Sequence, residues 1–271
     1  MKGNKIKINE TSLSYEFFES DEPKNDTILI LHWWQWASSS WSEVWKILGN
    51  SWYNVVIPDI PCASKNTKCN DIYNLDSYAE LIEEFIWDLV KKHKKIDFSN
   101  LILWGHSNGW AISIKLTNRK KINILRLILN NSAWIRNDKN RSFKRKVFNF
   151  FTKIGKKVFS CSILKKLWVD KIRNLFYRAI WSQDYLNAEK NPKLKETYLN
   201  MISSDLKDEI KLIDKFTLLI WWENDNYTPV SDAYFMRNNI KRSKLVILDN
   251  ETHWIHLKNP ERLVQVFLDN I

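Results

Sequence analysis

The segment at 104–110 reads Trp104-Gly105-His106-Ser107-Asn108-Gly109-Trp110. It follows the apolar run 101–103 and precedes a helix-like stretch at 111–116, so a serine between two glycines lies where a strand passes into a helix. In this setting the pattern G-x-S-x-G predicts a sharp turn that strains the serine backbone. Glycine is needed on both sides because a Cβ there would collide with neighbouring backbone. The serine hydroxyl is then expected at the carboxyl end of the strand.

An aspartate and a histidine follow this serine in the order Ser107, Asp225, His253. Asp225 comes after the apolar run 216–220 and His253 after 244–248, so both are predicted on loops at strand carboxyl ends, where open α/β sheets keep their sites. Serine is inert at neutral pH unless a base removes its proton, and imidazole can return that proton to a leaving group. An aspartate fixes the imidazole tautomer and stabilises the imidazolium. The three residues therefore predict a nucleophile, a base and an orienting acid.

These residues, in this chain order, resemble the serine-nucleophile branch of the α/β-hydrolase superfamily. The segments 58–61 and 253–261 resemble further parts of the family pattern, and the resemblance covers almost the whole chain. The loop at 32–36, after the apolar run 28–31, resembles the family's His-Gly-x-Gly segment. The resemblance implies an oxyanion hole built from the backbone N–H groups of Trp34 and Asn108. It also speaks against the dehalogenase and epoxide-hydrolase branches, which place an aspartate where this chain has Ser107.

The expected fold is α/β: a mostly parallel eight-stranded sheet flanked by helices, with an inserted helical lid. Residues 1–133 and 213–271 would form the α/β-hydrolase core and residues 134–212 the lid. Asp76 is a candidate cap for the second predicted helix, and Pro260 would open the last one. Strands are predicted near 5–8, 15–18, 27–31, 54–58, 101–103, 125–129, 216–220 and 244–248, and core helices near 39–48, 75–92, 107–116, 232–238 and 260–270.

Tryptophan replaces glycine at several positions of the family pattern. The chain has 15 Trp and only 5 Gly, whereas an average chain of this length would carry about 7% Gly, roughly fourteen more. Glycine is used at such turns because a Cβ would clash or forbid positive φ, so tryptophan is the largest violation. Over-packing costs about 1–3 kcal/mol per site, a large share of a domain's net stability when summed. The positions concerned are Trp33, Trp36, Trp110, Trp222 and Trp254.

Our hypothesis is that these tryptophans arise from translation of UGA as tryptophan in a lineage that reads it as glycine. UGA differs from the glycine codon GGA by one base. Trp34, Trp41 and Trp221 occupy positions where the family accepts an aromatic residue, whereas Trp52, Trp134 and Trp181 are further candidate glycines. The alternative is a diverged or catalytically dead hydrolase in which the tryptophans are real.

The net charge of +11 comes from one part of the chain. Residues 134–181 carry 14 Lys or Arg against two acidic residues, and apolar residues recur there at helical spacing. Such a helix can lie on an anionic membrane surface or attract an acidic substrate. The preferred interpretation is a lid whose apolar side covers the site while its lysines are solvated. Nucleic-acid binding is not expected, because no recognition fold accompanies the charge.

The remaining sequence features predict a cytoplasmic protein without cofactors. Three cysteines, Cys62, Cys69 and Cys161, give no metal spacing and no even disulfide set, which favours a reducing compartment. The first ten residues contain scattered charges and no apolar core of a signal peptide. No apolar run approaches the eighteen or so residues that would span a bilayer.

Other histidines and aspartates have structural interpretations. His253 and His256 are spaced like metal ligands, but no third ligand is placed in the sequence to complete a site. His256 is expected to support the catalytic loop, and His32 and His106 to hold the backbone of motif turns. Asp249 is a rival to Asp225 for the triad acid, but it lies too near His253 in sequence to match the family arrangement.

We therefore expect a serine hydrolase that cleaves a carboxylic ester or related acyl bond of a small, hydrophobic substrate. A carbon–carbon hydrolase or an acyltransferase would use the same triad, so the fold does not fix the reaction. If the tryptophans are real, a catalytically impaired ligand-binding protein is the alternative.

Overall fold

The computed structural model describes residues 4–20, 26–32, 36–93, 98, 100–132, 187–189, 191–223, 225 and 228–271. These residues form one eight-stranded sheet in the order β1-β2-β4-β3-β5-β6-β7-β8. The strands are β1 (Asn4–Ile8), β2 (Thr11–Phe18), β3 (Thr27–Leu31), β4 (Asn54–Pro58), β5 (Leu101–His106), β6 (Ile124–Asn130), β7 (Phe216–Trp222) and β8 (Ser243–Leu248).

The sheet is parallel except at one edge, where β2 pairs antiparallel with both β1 and β4. Strands β4, β3, β5, β6, β7 and β8 run in one direction, so their carboxyl ends meet at one edge of the sheet. The chain moves outward from β3 to β4 and then returns to place β5 on the other side of β3. This reversal is the switch point at which open α/β sheets hold their ligands.

Alternate side chains of the central strands enter two separate cores, as expected for strands buried on both faces. Leu29 and Leu31 face one core and Ile28 and Ile30 face the other. Helices α2 (Leu75–Lys92) and α3 (Gly109–Arg119) contribute to the first core. Helices α1 (Ser42–Asn50) and α8 (Pro260–Leu268) contribute to the second. The remaining described helices are α4 (Pro192–Ser203), α5 (Lys207–Lys211), α6 (Val230–Asn239) and α7 (Ile255–Lys258).

The predicted eight-stranded, mostly parallel sheet with flanking helices is confirmed, and its elements differ mainly at their ends. Strand β5 continues to His106 because Gly105 and His106 stay paired with neighbouring strands, although they are not part of the apolar run. Helix α3 begins at Gly109 rather than 107, since Ser107 has a φ of 50° and cannot be helical. The cap of α2 is Asn74, which forms a capping box with Ser77, so the expectation for Asp76 was wrong.

Of the predicted lid, the structure describes helices α4 and α5. Residues 133–186, which include the whole basic segment 134–181, lie outside the described residues. None of the helices in the described part of the chain is both long and apolar enough to cross a membrane.

The cysteine expectation needs correction. Cys62 and Cys69 form a disulfide with their Cα atoms 4.3 Å apart. Cys62 has a φ of 60°, and this turn brings two residues seven positions apart into bonding distance. An odd cysteine count therefore did not exclude a local bridge.

Candidate active site

Ser107 occupies the sharp turn between β5 and α3. Its φ of 50° lies in the left-handed region, which is strained for a side chain with a Cβ. The Ser107 N–H donates to the carbonyl oxygen of Asn130 at 3.2 Å, and the Trp110 N–H donates to the Ser107 carbonyl at 3.2 Å. Ser107 is buried, and its Oγ makes no hydrogen bond within the described part of the chain. The backbone network therefore holds the strained serine in place.

The two glycines beside Ser107 are required by close backbone approach. A Cβ on Gly109 would lie 2.0 Å from the carbonyl oxygen of Leu31 on β3. A Cβ on Gly105 would lie 2.7 Å from the Cα of Trp110 and 2.6 Å from Ser113 Oγ. Neither glycine has positive φ, so space rather than backbone conformation excludes a side chain at these positions.

The loops after β7 and β8 bring Asp225 and His253 together. His253 Nδ1 and Asp225 Oδ2 are 2.6 Å apart, and both side chains are buried. The His253 ring packs against that of His106, with ring centroids 5.2 Å apart, so the histidine loop lies against the turn that carries Ser107. An acid at Nδ1 fixes the tautomer in which Nε2 can accept a proton.

The carboxylate of Asp225 is held by two residues that the sequence did not indicate. The Thr228 N–H donates to Oδ1 at 3.1 Å, and the Thr228 hydroxyl donates to Oδ2 at 2.7 Å. The Asn131 side-chain amide also donates to Oδ2. Thr228 could have been found as a hydroxyl residue three positions after the acid. Asn131 carries no local signal, because its proximity to Asp225 depends on how β6 and β7 pair.

Buried histidines surround the predicted base. His256 stacks on Trp41 with ring centroids 4.7 Å apart, and its ring centroid is 4.9 Å from that of His106. Burial, followed by the charges of His253 and His32, lowers the pKa of His256 to about 3. Burial also lowers the pKa of His106 well below its usual value, partly offset by a hydrogen bond with the His253 backbone. Both rings are therefore neutral near pH 7, and they lie in a cluster of rings that includes Trp41 and His253.

The histidine pair with metal-ligand spacing was expected to lack a third ligand. His106 lies close to both His253 and His256, but among the residues with a described position no group of three or more His, Cys, Asp or Glu is arranged to hold a metal ion.

The predicted oxyanion hole is only partly described. Asn108 directly precedes α3, with φ of −65° and ψ of −23°, so its N–H lies at the amino end of that helix. Trp34 lies outside the described residues, as does Trp33. Asp59 contacts both ends of that loop, since its Oδ1 accepts from the Ser38 N–H at 2.8 Å and lies 3.8 Å from His32 Nε2. His32 therefore lies beside Asp59 at the start of the loop.

The rival acid Asp249 is engaged elsewhere. Its Oδ1 is 2.6 Å from a guanidinium nitrogen of Arg262, and its side chain is exposed. That arginine lowers the pKa of Asp249. Asp225, rather than Asp249, meets the histidine.

Several of the tryptophans that stand at family glycine positions crowd this region. The rings of Trp36 and Trp254 are 5.0 Å apart, and the Trp254 ring centroid is 5.4 Å from that of His253. Trp110 is buried and, with Asn108 and Met201, lines a cavity of about 20 Å³. That volume holds about one water molecule. A larger cavity of about 480 Å³ lies along 62–70 against α4 and contains none of the predicted site residues.

Comparison with known proteins agrees with this architecture. The chain resembles an esterase from Exiguobacterium antarcticum (TM-score 0.68, 18% identity, 98% of each chain covered). It also resembles a bacterial membrane phospholipase A (TM-score 0.68, 21% identity, 99% of this chain and 86% of that chain). A third similar structure is a bromoperoxidase from Bacillus anthracis (TM-score 0.66, 16% identity, 99% of this chain and 100% of that chain). At these identities the likeness shows the fold alone.

Sequence comparison with curated proteins finds no match. The model of the alpha/beta hydrolase fold family, however, matches residues 26–260, which include the turn at Ser107 and the loops that carry Asp225 and His253. This chain belongs to the α/β-hydrolase fold family.

Proposed function

We propose that this protein is a serine hydrolase that cleaves a carboxylic ester or a related acyl bond through an acyl-enzyme. The observation that carries the proposal is the 2.6 Å contact between His253 Nδ1 and Asp225 Oδ2. The pair is buried and packs, through His106, against the strained turn of Ser107. A histidine oriented in this way is the base that a serine needs to become a nucleophile.

Each residue has a defined role in the proposed reaction. Ser107 Oγ attacks the acyl carbon while His253 Nε2 takes the serine proton, and Asp225 stabilises the resulting imidazolium. His253 then gives that proton to the leaving oxygen, and a water activated by the same base releases the acyl group. The N–H groups of Asn108 and Trp34 are assigned to the developing oxyanion. Loss of one such donor costs on the order of a hundredfold or more in rate.

The proposed substrate is a small molecule with an apolar acyl group, and the proposed reaction uses no cofactor. The Cys62–Cys69 bridge removes the support that the cysteine count gave to a cytoplasmic location. Support comes from the wall beside Asn108, where Met201, Ile202 and Leu206 contribute apolar surface. Weak contact of the basic segment 134–181 with anionic membranes stays a proposal. A series of p-nitrophenyl esters tests the substrate class, and we expect turnover to rise from acetyl to medium-length chains. Equal turnover across the series would contradict an apolar acyl site.

A second candidate is a catalytically impaired protein that only holds a ligand. It is favoured by the crowding near His253, where the Trp36 and Trp254 rings are 5.0 Å apart, and by the cavity of only about 20 Å³ beside Trp110.

Reaction with a fluorophosphonate probe separates the two candidates, since it requires an activated serine. We expect the wild-type protein to be labelled and Ser107→Ala to be unlabelled although folded. Turnover of an ester should fall by on the order of 10⁴-fold or more in the same variant. A folded wild-type protein that stays unlabelled would instead favour the ligand-binding candidate.

A further inference from the structure

Asn131 is a fully buried residue that directly follows β6, the strand next to β7. Its φ is 42°, so it turns away from the strand in the left-handed conformation. Its backbone N–H donates to the carbonyl oxygen of Ile220 on β7 at 3.1 Å. This bond continues the pairing of the two strands and fixes where the side chain of residue 131 begins.

The Asn131 side chain reaches the predicted triad acid. Its Nδ2 donates to Asp225 Oδ2 and lies 3.2 Å from Thr228 Oγ1. Oδ2 is also the oxygen that pairs with His253 Nδ1. Thr228 follows Asp225 by three residues in the chain, whereas Asn131 directly follows the neighbouring strand β6. The amide of Asn131 therefore ties the acid loop to the rigid sheet.

We infer that Asn131 is the positioning residue that sets the carboxylate of Asp225 against His253. This inference rests on the proposed function only for its effect on rate; the hydrogen bonds themselves do not depend on it. Asn131 touches no reacting atom and acts through Asp225.

The residue type fits this role in two ways. Asparagine tolerates the left-handed conformation better than other residues with a side chain. Its amide donates to a carboxylate without adding charge, so the negative charge of Asp225 stays available to the imidazolium of His253. A lysine at this position would share that charge, and an aspartate would repel it.

The test compares Asn131→Gly with Asn131→Asp. Glycine keeps the positive φ and removes the donor, whereas aspartate keeps the shape and places a carboxylate beside Asp225. We expect the second-order rate of fluorophosphonate labelling, per folded molecule, to fall about tenfold or more in Asn131→Gly, as for loss of a hydrogen bond to a charged group. The fall should be larger in Asn131→Asp. With an ester substrate, kcat should fall while KM changes little.

Asn54→Ala is the matched control. Asn54 is also buried, and its Oδ1 accepts the Ser20 N–H at 3.0 Å, but it begins β4 at the opposite edge of the sheet. This variant should lose thermal stability and keep the labelling rate. If Asn131→Gly lost stability and labelled at the wild-type rate, Asn131 would be merely structural and the inference would be overturned.

A second measurement needs no catalysis. The proton between His253 Nδ1 and Asp225 should give a low-field resonance in the proton NMR spectrum, identified by its absence in His253→Gln. We expect this resonance in the wild type and in Asn54→Ala, and its loss or shift to higher field in Asn131→Gly. An unchanged resonance in Asn131→Gly overturns the inference even if the wild type is active. A shifted resonance in a protein that the probe does not label supports the positioning of Asp225 and counts against the proposed function alone.

Discussion

Ser107 and Trp52 both hold left-handed backbone, with φ of 50° and 65°, but their surroundings differ. At Ser107 two glycines leave the space that the turn needs, and Asn130 accepts the serine N–H. At Trp52, two residues after the end of α1, the side chain is 49% exposed and the N–H donates to the carbonyl oxygen of Gly49. The left-handed conformation costs a residue with a Cβ on the order of 1–2 kcal/mol. At Ser107 the strained conformation orients the side chain of a proposed nucleophile, whereas at Trp52 it carries a half-exposed tryptophan at the end of a helix.

Glycine is the residue that commonly ends a helix in the conformation of Trp52. Glycine would adopt this backbone conformation without strain, as the UGA hypothesis expects at residue 52. The buried tryptophans discriminate less well. The indole N–H of Trp222 makes no hydrogen bond within the described residues, but the same holds for Trp41, which occupies a position where an aromatic residue is accepted. At Trp110, a glycine would enlarge the small cavity beside Asn108 and open space near the serine.

The largest effect is expected when the strain at the turn is removed. Ser107→Gly relieves the left-handed strain and deletes the nucleophile, so we expect a gain of about 1 kcal/mol in the free energy of unfolding. Ester turnover should fall by on the order of 10⁴-fold or more. Urea denaturation and an ester assay on the same preparation measure both quantities. If Ser107→Gly were no more stable than Ser107→Ala, the turn at Ser107 would store little strain, and the comparison with Trp52 would fail.

The free energy of unfolding should depend on pH through the buried histidines near Ser107, but not through residues at the end of α1. Because the pKa of His256 is about 3 in the folded chain, below its ordinary 6.5, the unfolded chain takes up a proton first as pH falls. This contribution is complete above pH 6.5 and is lost from there down to about pH 3, at about 1.4 kcal/mol per pH unit. We expect urea denaturation between pH 6 and pH 4 to show a shallower loss in His256→Gln than in the wild type.

Carboxylates also titrate in that range, so the difference between the two proteins is the informative quantity. The lowered pKa of His106 contributes in the same direction, so the stability of His106→Gln should also fall less steeply with pH than that of the wild type. Parallel profiles for the wild type and both variants would mean that these histidines take up protons in the folded protein. The Trp52→Gly variant should keep the wild-type profile.

The sequence predicted the sheet, its helices and the meeting of Asp225 with His253, because each depends on local pattern and on the rule that parallel strands end at one edge. It could not indicate Asn131, whose contact with Asp225 depends on the register in which Asn130 pairs with Ile220. The Cys62–Cys69 bridge was missed for a related reason, since a positive φ at Cys62 creates it. Backbone conformations of this kind leave no periodic signature when the residue is not glycine.

The smallest effect is expected at Trp52, and it tests the comparison most directly. Trp52→Gly should have a free energy of unfolding about 1 kcal/mol higher than Trp52→Ala, because glycine removes the strain of a Cβ while both variants lose the same half-buried indole. Trp87→Gly is the matched control, since Trp87 is 43% exposed but lies within α2. There the glycine variant should have a free energy of unfolding about 1 kcal/mol lower than Trp87→Ala, the cost of glycine in a helix.

Opposite signs of the difference between the glycine and alanine variants at residues 52 and 87 would show that backbone conformation, rather than loss of an indole, sets that difference at residue 52. Peptide masses from the native organism would show whether the cell itself inserts glycine at residue 52. We expect the peptides that contain residues 52 and 110 to carry glycine at both positions. Tryptophan at both positions would refute the reading of UGA as glycine there. Trp52 would then be a strained residue of the natural protein. Glycine at residue 52 would make the left-handed turn after α1 an unstrained helix end. Of these two turns, only that of Ser107 would then be strained, and the proposed chemistry explains that strain.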